Sequence, residues 1–212
     1  MSPALADYIA ECHSQSDDRL LAELREETAG LGGVSTMQIS PEQGTFLSLL
    51  VAALGVKAPI EIGTFTGYSA LCMARALSGG GKLLCLDVSR EWTAIARRYW
   101  ERAGVAERIE LRLGDGAETL AAIPEAPHYD FAFTDADKTG YDRYYELLLP
   151  RLRPGSVLVF DNMLWRGRIV EETIDDPDGR AIDTLNRKLA SDPRVESVLL
   201  PVADGLHVCR KL

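Results

Sequence analysis

The chain has 212 residues, 46% of them hydrophobic, which suits one α/β domain with a sizeable core and argues against disorder. Its 23 basic and 32 acidic residues leave a formal charge of −9, a poor match for nucleic acid or an anionic membrane surface. No apolar run approaches the ~20 residues that span a bilayer, and the opening "MSPALADYIAECHSQSDD" has no basic segment followed by an apolar stretch, so it does not read as a secretory signal. The four cysteines are scattered, no C-x-x-C pair exists and only three histidines accompany them, so neither zinc nor a disulfide framework is expected and a reducing cytoplasm fits best.

Residues 4–29 read as one or two polar-faced helices ending near Gly30. A turn-rich connector (30–43) follows, in which Ser40-Pro41-Glu42 looks like a helix cap and first turn; a buried helix then runs over 43–55 and stops at Gly55. From there short apolar runs alternate with amphipathic segments. Strands are expected at 58–63, 81–87, 108–115, 129–135 and 155–161, with helices at 68–78, 90–104, 117–123, 141–152 and 180–191. Two closing strands, 194–201 and 205–212, are joined tightly at Ala203-Asp204-Gly205. Alternation of this kind implies right-handed crossovers and a doubly wound α/β fold. The last pair is too close for a crossover helix, so the final strand of the seven should run antiparallel. The whole chain is expected to be one Rossmann-like domain, with 1–42 as a helical segment and lid and 43–212 as the core.

"EIGTFTGYS" (61–69) leaves a strand and opens a helix. Gly63 and Gly67 let backbone pass close to a ligand, and the helix start and Ser69 offer donors to a carboxylate. Asp87 ends the next strand, 24 residues after Gly63, where a carboxylate commonly accepts from ribose hydroxyls. Neither G-x-G-x-x-G nor G-x-x-x-x-G-K-[ST] is present. A ligand with a carboxylate and a ribose but no phosphate fits better, and S-adenosylmethionine is such a ligand. The bland alternatives are an ordinary strand-to-helix turn and a solvated strand end.

"YDFAFTDADKTGY" (129–141) and "SVLVFDNMLW" (156–165) both run from apolar strand into carboxylates. Asp135, Asp137 and Asp161 would converge if these strands are neighbours, and like charges that close need a compensating cation or proton. With Asn162 the donors are all oxygen, which favours Mg²⁺, Ca²⁺ or Mn²⁺ over zinc. Solvated charges at loop tips are the alternative. Two other functions are compatible with a similar sheet: a nicotinamide-dependent oxidoreductase, disfavoured by the missing third glycine and the acidic cluster, and a non-catalytic nucleoside-binding protein, which has no use for the acids or Lys138.

Taken together, Glu61-Ile62-Gly63, "TGYS" (66–69), "LD" (86–87), "DADK" (135–138), "DN" (161–162), "LW" (164–165) and "LPVADGLHVCRK" (200–211) resemble the cation-dependent O-methyltransferases, which include the catechol and caffeoyl-coenzyme A enzymes. The resemblance implies a class I S-adenosylmethionine-dependent methyltransferase acting on a small aromatic vicinal diol, working as a homodimer. It implies that Asp135, Asp161 and Asn162 ligate the cation, Mg²⁺ first, and that Lys138 is the general base. It places Met37, Ile39, Glu61, Gly63, Thr64, Ser69 and Asp87 on the cofactor, Asp115 and Gly116 along the adenine, and Asp135 and Asp137 near the methyl donor. Trp165, with Lys138, would face the methyl acceptor. Ile39 stands where plant members carry a polar residue, and the stretch between Trp165 and Ala181 is shorter than theirs.

Overall fold

The structure, a computed structural model, describes residues 3–14, 18–171 and 173–212. Seven strands, β1 (Pro59–Ile62), β2 (Leu83–Asp87), β3 (Ile109–Leu113), β4 (Tyr129–Thr134), β5 (Leu152–Phe160), β6 (Val195–Leu200) and β7 (Leu206–Lys211), form one sheet in the order β3-β2-β1-β4-β5-β7-β6. The pairs among β1 to β5 are parallel, while β7 runs antiparallel to both β5 and β6, as the short closing connection requires.

Among the described residues eight α-helices cover the sheet: α1 (Pro3–Glu11), α2 (Arg19–Ala29), α3 (Pro41–Ala53), α4 (Tyr68–Ala76), α5 (Arg90–Arg102), α6 (Gly116–Ala121), α7 (Tyr141–Leu148) and α8 (Pro177–Ser191). Strand residues alternate between two cores. Phe131, Phe133 and Val159 face Leu24, Leu47, Leu71 and Trp100 of α2 to α5. Ile60, Ile62 and Leu158 face Tyr145, Leu148, Ile182 and Leu185 of α7 and α8. No helix among the described residues is long and apolar enough to cross a membrane.

Several boundaries differ from expectation, the helix expected over 141–152 ending at Leu148 among them, and two have clear local reasons. β5 begins at Leu152, because Pro154 and Gly155 (φ +84°) sit inside it where its register against β4 shifts. α8 begins at Pro177, because Asp176 accepts from the backbone N–H groups of Asp178 and Gly179 and Pro177 takes the first helical position.

The sheet grows outward from β1 through β2 to β3, then resumes on the other side with β4. That reversal leaves a crevice beyond the carboxyl ends of the central strands. Gly63, Asp87, Asp135 and Asp161 each stand at or just past one of those ends.

Candidate active site

A cavity of about 810 Å³ opens at this crevice. The loop after β1 forms one side. Gly63 has φ +88°, and a Cβ there would lie 2.0 Å from the Asp135 carbonyl oxygen, so only glycine lets the two strand ends meet. Asp87 organises the loop: its Oδ2 accepts from the backbone N–H groups of Thr64 (2.9 Å) and Phe65 (2.8 Å), and its Oδ1 from Ser89 (2.7 Å). Gly67 heads α4 without a side-chain cap, so the first N–H groups of that helix lack a side-chain acceptor. Beneath the loop Glu61 is fully buried, accepting from the Ser69 hydroxyl (2.6 Å) and the Cys85 thiol (3.3 Å). Burial pushes its pKa up to about 7 against the pull of those bonds.

The second side is acidic. Thr134 of β4 pairs with Phe160 of β5, and the Asp161 N–H donates to the Thr134 carbonyl (3.0 Å), so Asp135 and Asp161 leave neighbouring strand ends together. Asp161 is 2% exposed. Burial, then repulsion from Asp135, pushes its pKa up to about 7; Gln43, the Asn162 N–H and Lys138 pull the other way. The buried Lys138 ammonium spends all three hydrogens, on Asp135 Oδ1 (2.8 Å), the Ala136 carbonyl (2.9 Å) and the Tyr141 hydroxyl (2.8 Å). Asp137 does not join the pair as the sequence suggested. It lies past the end of β4, is exposed, and accepts from the Tyr144 hydroxyl at 2.5 Å. Among the described residues no three His, Cys, Asp or Glu side chains gather as a metal-binding group, so a cation here would depend on two carboxylates and the Asn162 amide.

The third side is the loop after β5. The turn of the β6–β7 hairpin props it up: Met163 and Leu164 N–H donate to the Gly205 and Asp204 carbonyls (2.9 and 2.8 Å), and Arg166 N–H to Asp204 Oδ1 (2.6 Å). From behind, the Asn186 amide donates to the Met163 carbonyl (2.8 Å) and in turn meets His207 Nδ1 (2.7 Å). The Trp165 indole N–H is held by Asp176. Among the described residues, every non-glycine residue with left-handed φ (Phe65, Asn162, Trp165, Arg166, Ala203) lines this one cavity. Such conformations cost ~1–3 kcal/mol each and persist only where surroundings enforce them, typically at functional sites.

All but three of the residues singled out from the sequence line the cavity. Gly67 makes its close approach to α5 and not to a ligand: a Cβ there would lie 2.6 Å from Ala96 and 2.8 Å from the Trp100 indole nitrogen. Glu61 lies under its floor. Asp115 is exposed and caps α6, accepting from the Glu118 N–H at 2.8 Å, while its neighbours Gly114 and Gly116 face the cavity. Ser69 commits its one proton to Glu61 rather than to a ligand. Sequence reasoning passed over Gln43, Trp92, Tyr144 and Asp204, all in the lining. A polar residue in the first turn of an otherwise apolar helix was the one available signal for Gln43.

Comparison with known proteins accords with this geometry. The sequence model of the O-methyltransferase family matches residues 11–212. Tricin synthase 1 of Oryza sativa subsp. japonica is 41% identical over 189 residues, covering 83% of this chain and 75% of its own. Caffeoyl-CoA O-methyltransferase 1 of Arabidopsis thaliana is 39% identical over 203 residues, covering 91% and 78%. The crystal structure of an O-methyltransferase from Bacillus cereus in complex with SAH superposes with a TM-score of 0.89 at 33% identity, covering 99% of this chain and 97% of that one. A match along nearly the whole chain, on a sheet of this order with a cavity at its switch point, leaves one assignment: the chain belongs to the O-methyltransferase family and is an S-adenosylmethionine-dependent O-methyltransferase.

Proposed function

We propose that the protein transfers the methyl group of S-adenosylmethionine to one hydroxyl of a small vicinal dihydroxy aromatic, with a divalent cation, Mg²⁺ first, held by Asp135, Asp161 and Asn162. The observation that supports this reading is the meeting of Asp135 and a desolvated Asp161 at adjacent strand ends, in the same cavity as the glycine loop. Among the described residues the one cation hydrogen-bonded to either acid is Lys138, at Asp135 Oδ1, while Asp161 accepts from the Asn162 N–H; the remaining donors are all oxygen, so the residues fit a hard cation. The Thr64 hydroxyl, buried in the lining with no partner in hydrogen-bonding geometry among the described residues, fits a polar cofactor group on the other side.

An ordinary phenol has pKa ~10, so ionising it at pH 7 costs about 4 kcal/mol. A divalent cation held by Asp135, Asp161 and Asn162 would supply the larger offset, roughly 8 kcal/mol for a double charge at a nominal 4 Å and an effective dielectric near 20 before desolvation. In the transfer, an oxygen lone pair forms the new O–C bond as the C–S bond breaks, releasing S-adenosylhomocysteine. Lys138 is the group placed to take the phenolic proton, after one of its own three hydrogens has gone to solvent. Asp87 and the uncapped start of α4 hold the donor molecule's ribose and carboxylate, and Trp165 walls the acceptor. The same reading takes the chain as one catalytic domain with residues 1–42 as helical segment and lid, working as a cytoplasmic homodimer.

The test is transfer of labelled methyl to a catechol and to the matching monohydroxy phenol, each with Mg²⁺ and with EDTA. Turnover is expected with the catechol and Mg²⁺ alone. Full turnover in EDTA, or equal turnover of the monophenol, would remove the cation from the mechanism.

A further inference from the structure

α3 enters the site at its first turn. Ser40 caps the helix, its hydroxyl accepting from the Gln43 backbone N–H at 3.4 Å. This places the Gln43 side chain in the same cavity lining as Asp135, Asp161 and Asn162. Gln43 is 1% exposed, and its Nε2 is buried without a hydrogen-bond partner among the described residues. Burying an amide unpaired is unfavourable, and buried polar groups nearly always find partners. A leucine or methionine would fill that volume without the cost. The helix gains nothing from the amide either, since its cap is already made by Ser40. The acceptor within reach of the Gln43 amide is the Asp161 carboxylate, though the two stop short of hydrogen-bonding geometry.

We propose that Gln43 is a positioning residue of the cation site: its amide N–H donates to the Asp161 carboxylate when that carboxylate holds the cation, fixing which oxygen Asp161 presents. The inference rests on the metal-dependent reading above. It makes the amide the outer support of one ligand, a type of contact whose removal weakens metal binding by about 10–100-fold. The cost of leaving the donor unpaired falls on the metal-free protein.

The probe is Mn²⁺, titrated by calorimetry into the full chain without acceptor, for wild type, Gln43→Leu, Gln43→Met and Asp161→Asn. Both Gln43 variants are expected to bind Mn²⁺ about tenfold or more weakly. S-adenosylhomocysteine affinity should stay within about threefold, because uniform loss would mean a distorted pocket. The metal-free variants should melt no lower than wild type, since an unpaired buried donor has been removed; a merely structural amide would lower the melting point instead. Mn²⁺ affinity equal to wild type in both folded variants overturns the proposal, including the case in which only the KM for a catechol rises and Gln43 reads the acceptor directly. If wild type takes up no Mn²⁺, or Asp161→Asn binds it equally well, the metal-dependent reading fails and this inference falls with it.

Discussion

Gly63→Ala tests the junction on which both halves of the site depend. The residue sits at φ +88°, and its amide donates to the Leu86 carbonyl at 2.9 Å while the Asp135 amide donates to Ile62 at 2.8 Å, so its position is fixed from both sides. A methyl group would stand 2.0 Å from the Asp135 carbonyl oxygen and 2.6 Å from its carbon. The carbonyl would have to retreat by about 1 Å even to reach the closest tolerable contact, and it belongs to the backbone that carries the acid. The left-handed φ alone costs ~1 kcal/mol for alanine. The overlap adds on the order of 2–4 kcal/mol, a large part of a domain's ~5–15 kcal/mol stability. Gly80→Ala is the control: φ is +75° there, with nothing within 4 Å of the new Cβ. Denaturant unfolding of both variants, with S-adenosylhomocysteine calorimetry alongside, separates the two terms. Gly63→Ala should unfold several kcal/mol earlier and lose most cofactor affinity, while Gly80→Ala should lose about 1 kcal/mol and keep it. If the two variants lie within 1 kcal/mol of one another, the close approach of the strand ends is not what demands glycine.

His207 supplies a pH signature. Burial lowers its pKa from 6.5 to about 4, so the unfolded chain binds the proton more readily and the associated stability, complete above pH 6.5, is lost as pH falls toward 4. Wild type should therefore exceed His207→Gln in stability by up to about 3 kcal/mol more at pH 7 than at pH 4. The paired comparison matters because Glu61, raised to about 7, acts with the opposite sign between 4.5 and 7; a difference independent of pH would mean that His207 is not held neutral. Asp204→Ala removes the acceptor of the strained Arg166 N–H. It should lower turnover of a catechol about tenfold or more while S-adenosylhomocysteine affinity holds within threefold; equal loss of both would show that the hairpin supports the whole pocket and not the acceptor loop.

The fold was legible because buried parallel strands are continuous apolar runs, and "LLCLD" or "FAF" between amphipathic segments has few other readings. Glycine and acid positions at strand ends were legible for the same reason: once a strand is placed, the crevice is placed. What the linear chain hid was side-chain direction past those ends. Asp135 and Asp137 are alike in sequence, but strand alternation stops at Thr134, and the 3₁₀ turn that follows leaves Asp137 exposed against Tyr144 while Lys138 bonds Asp135. Asp115 follows a strand as Asp87 does, yet it begins a helix and its carboxylate caps that helix. Gln43 was hidden differently, since only the packing of α3 over the acids decides whether a first-turn glutamine meets water or protein.

β6 reaches the sheet only through β7, which lies between it and β5. The hairpin must therefore dock as one piece, and its turn fixes the Asn162 loop through contacts spanning some forty residues. Closing so long a stretch is entropically expensive and comes late. The amides of the glycine loop, by contrast, have a nearby support: Asp87 accepts from Thr64 and Phe65, 23 and 22 residues away. During refolding, S-adenosylhomocysteine uptake should recover before turnover, and simultaneous recovery would count against this order. Enzymatic competence would then report the arrival of the final hairpin, long after collapse has made the nucleoside half of the pocket.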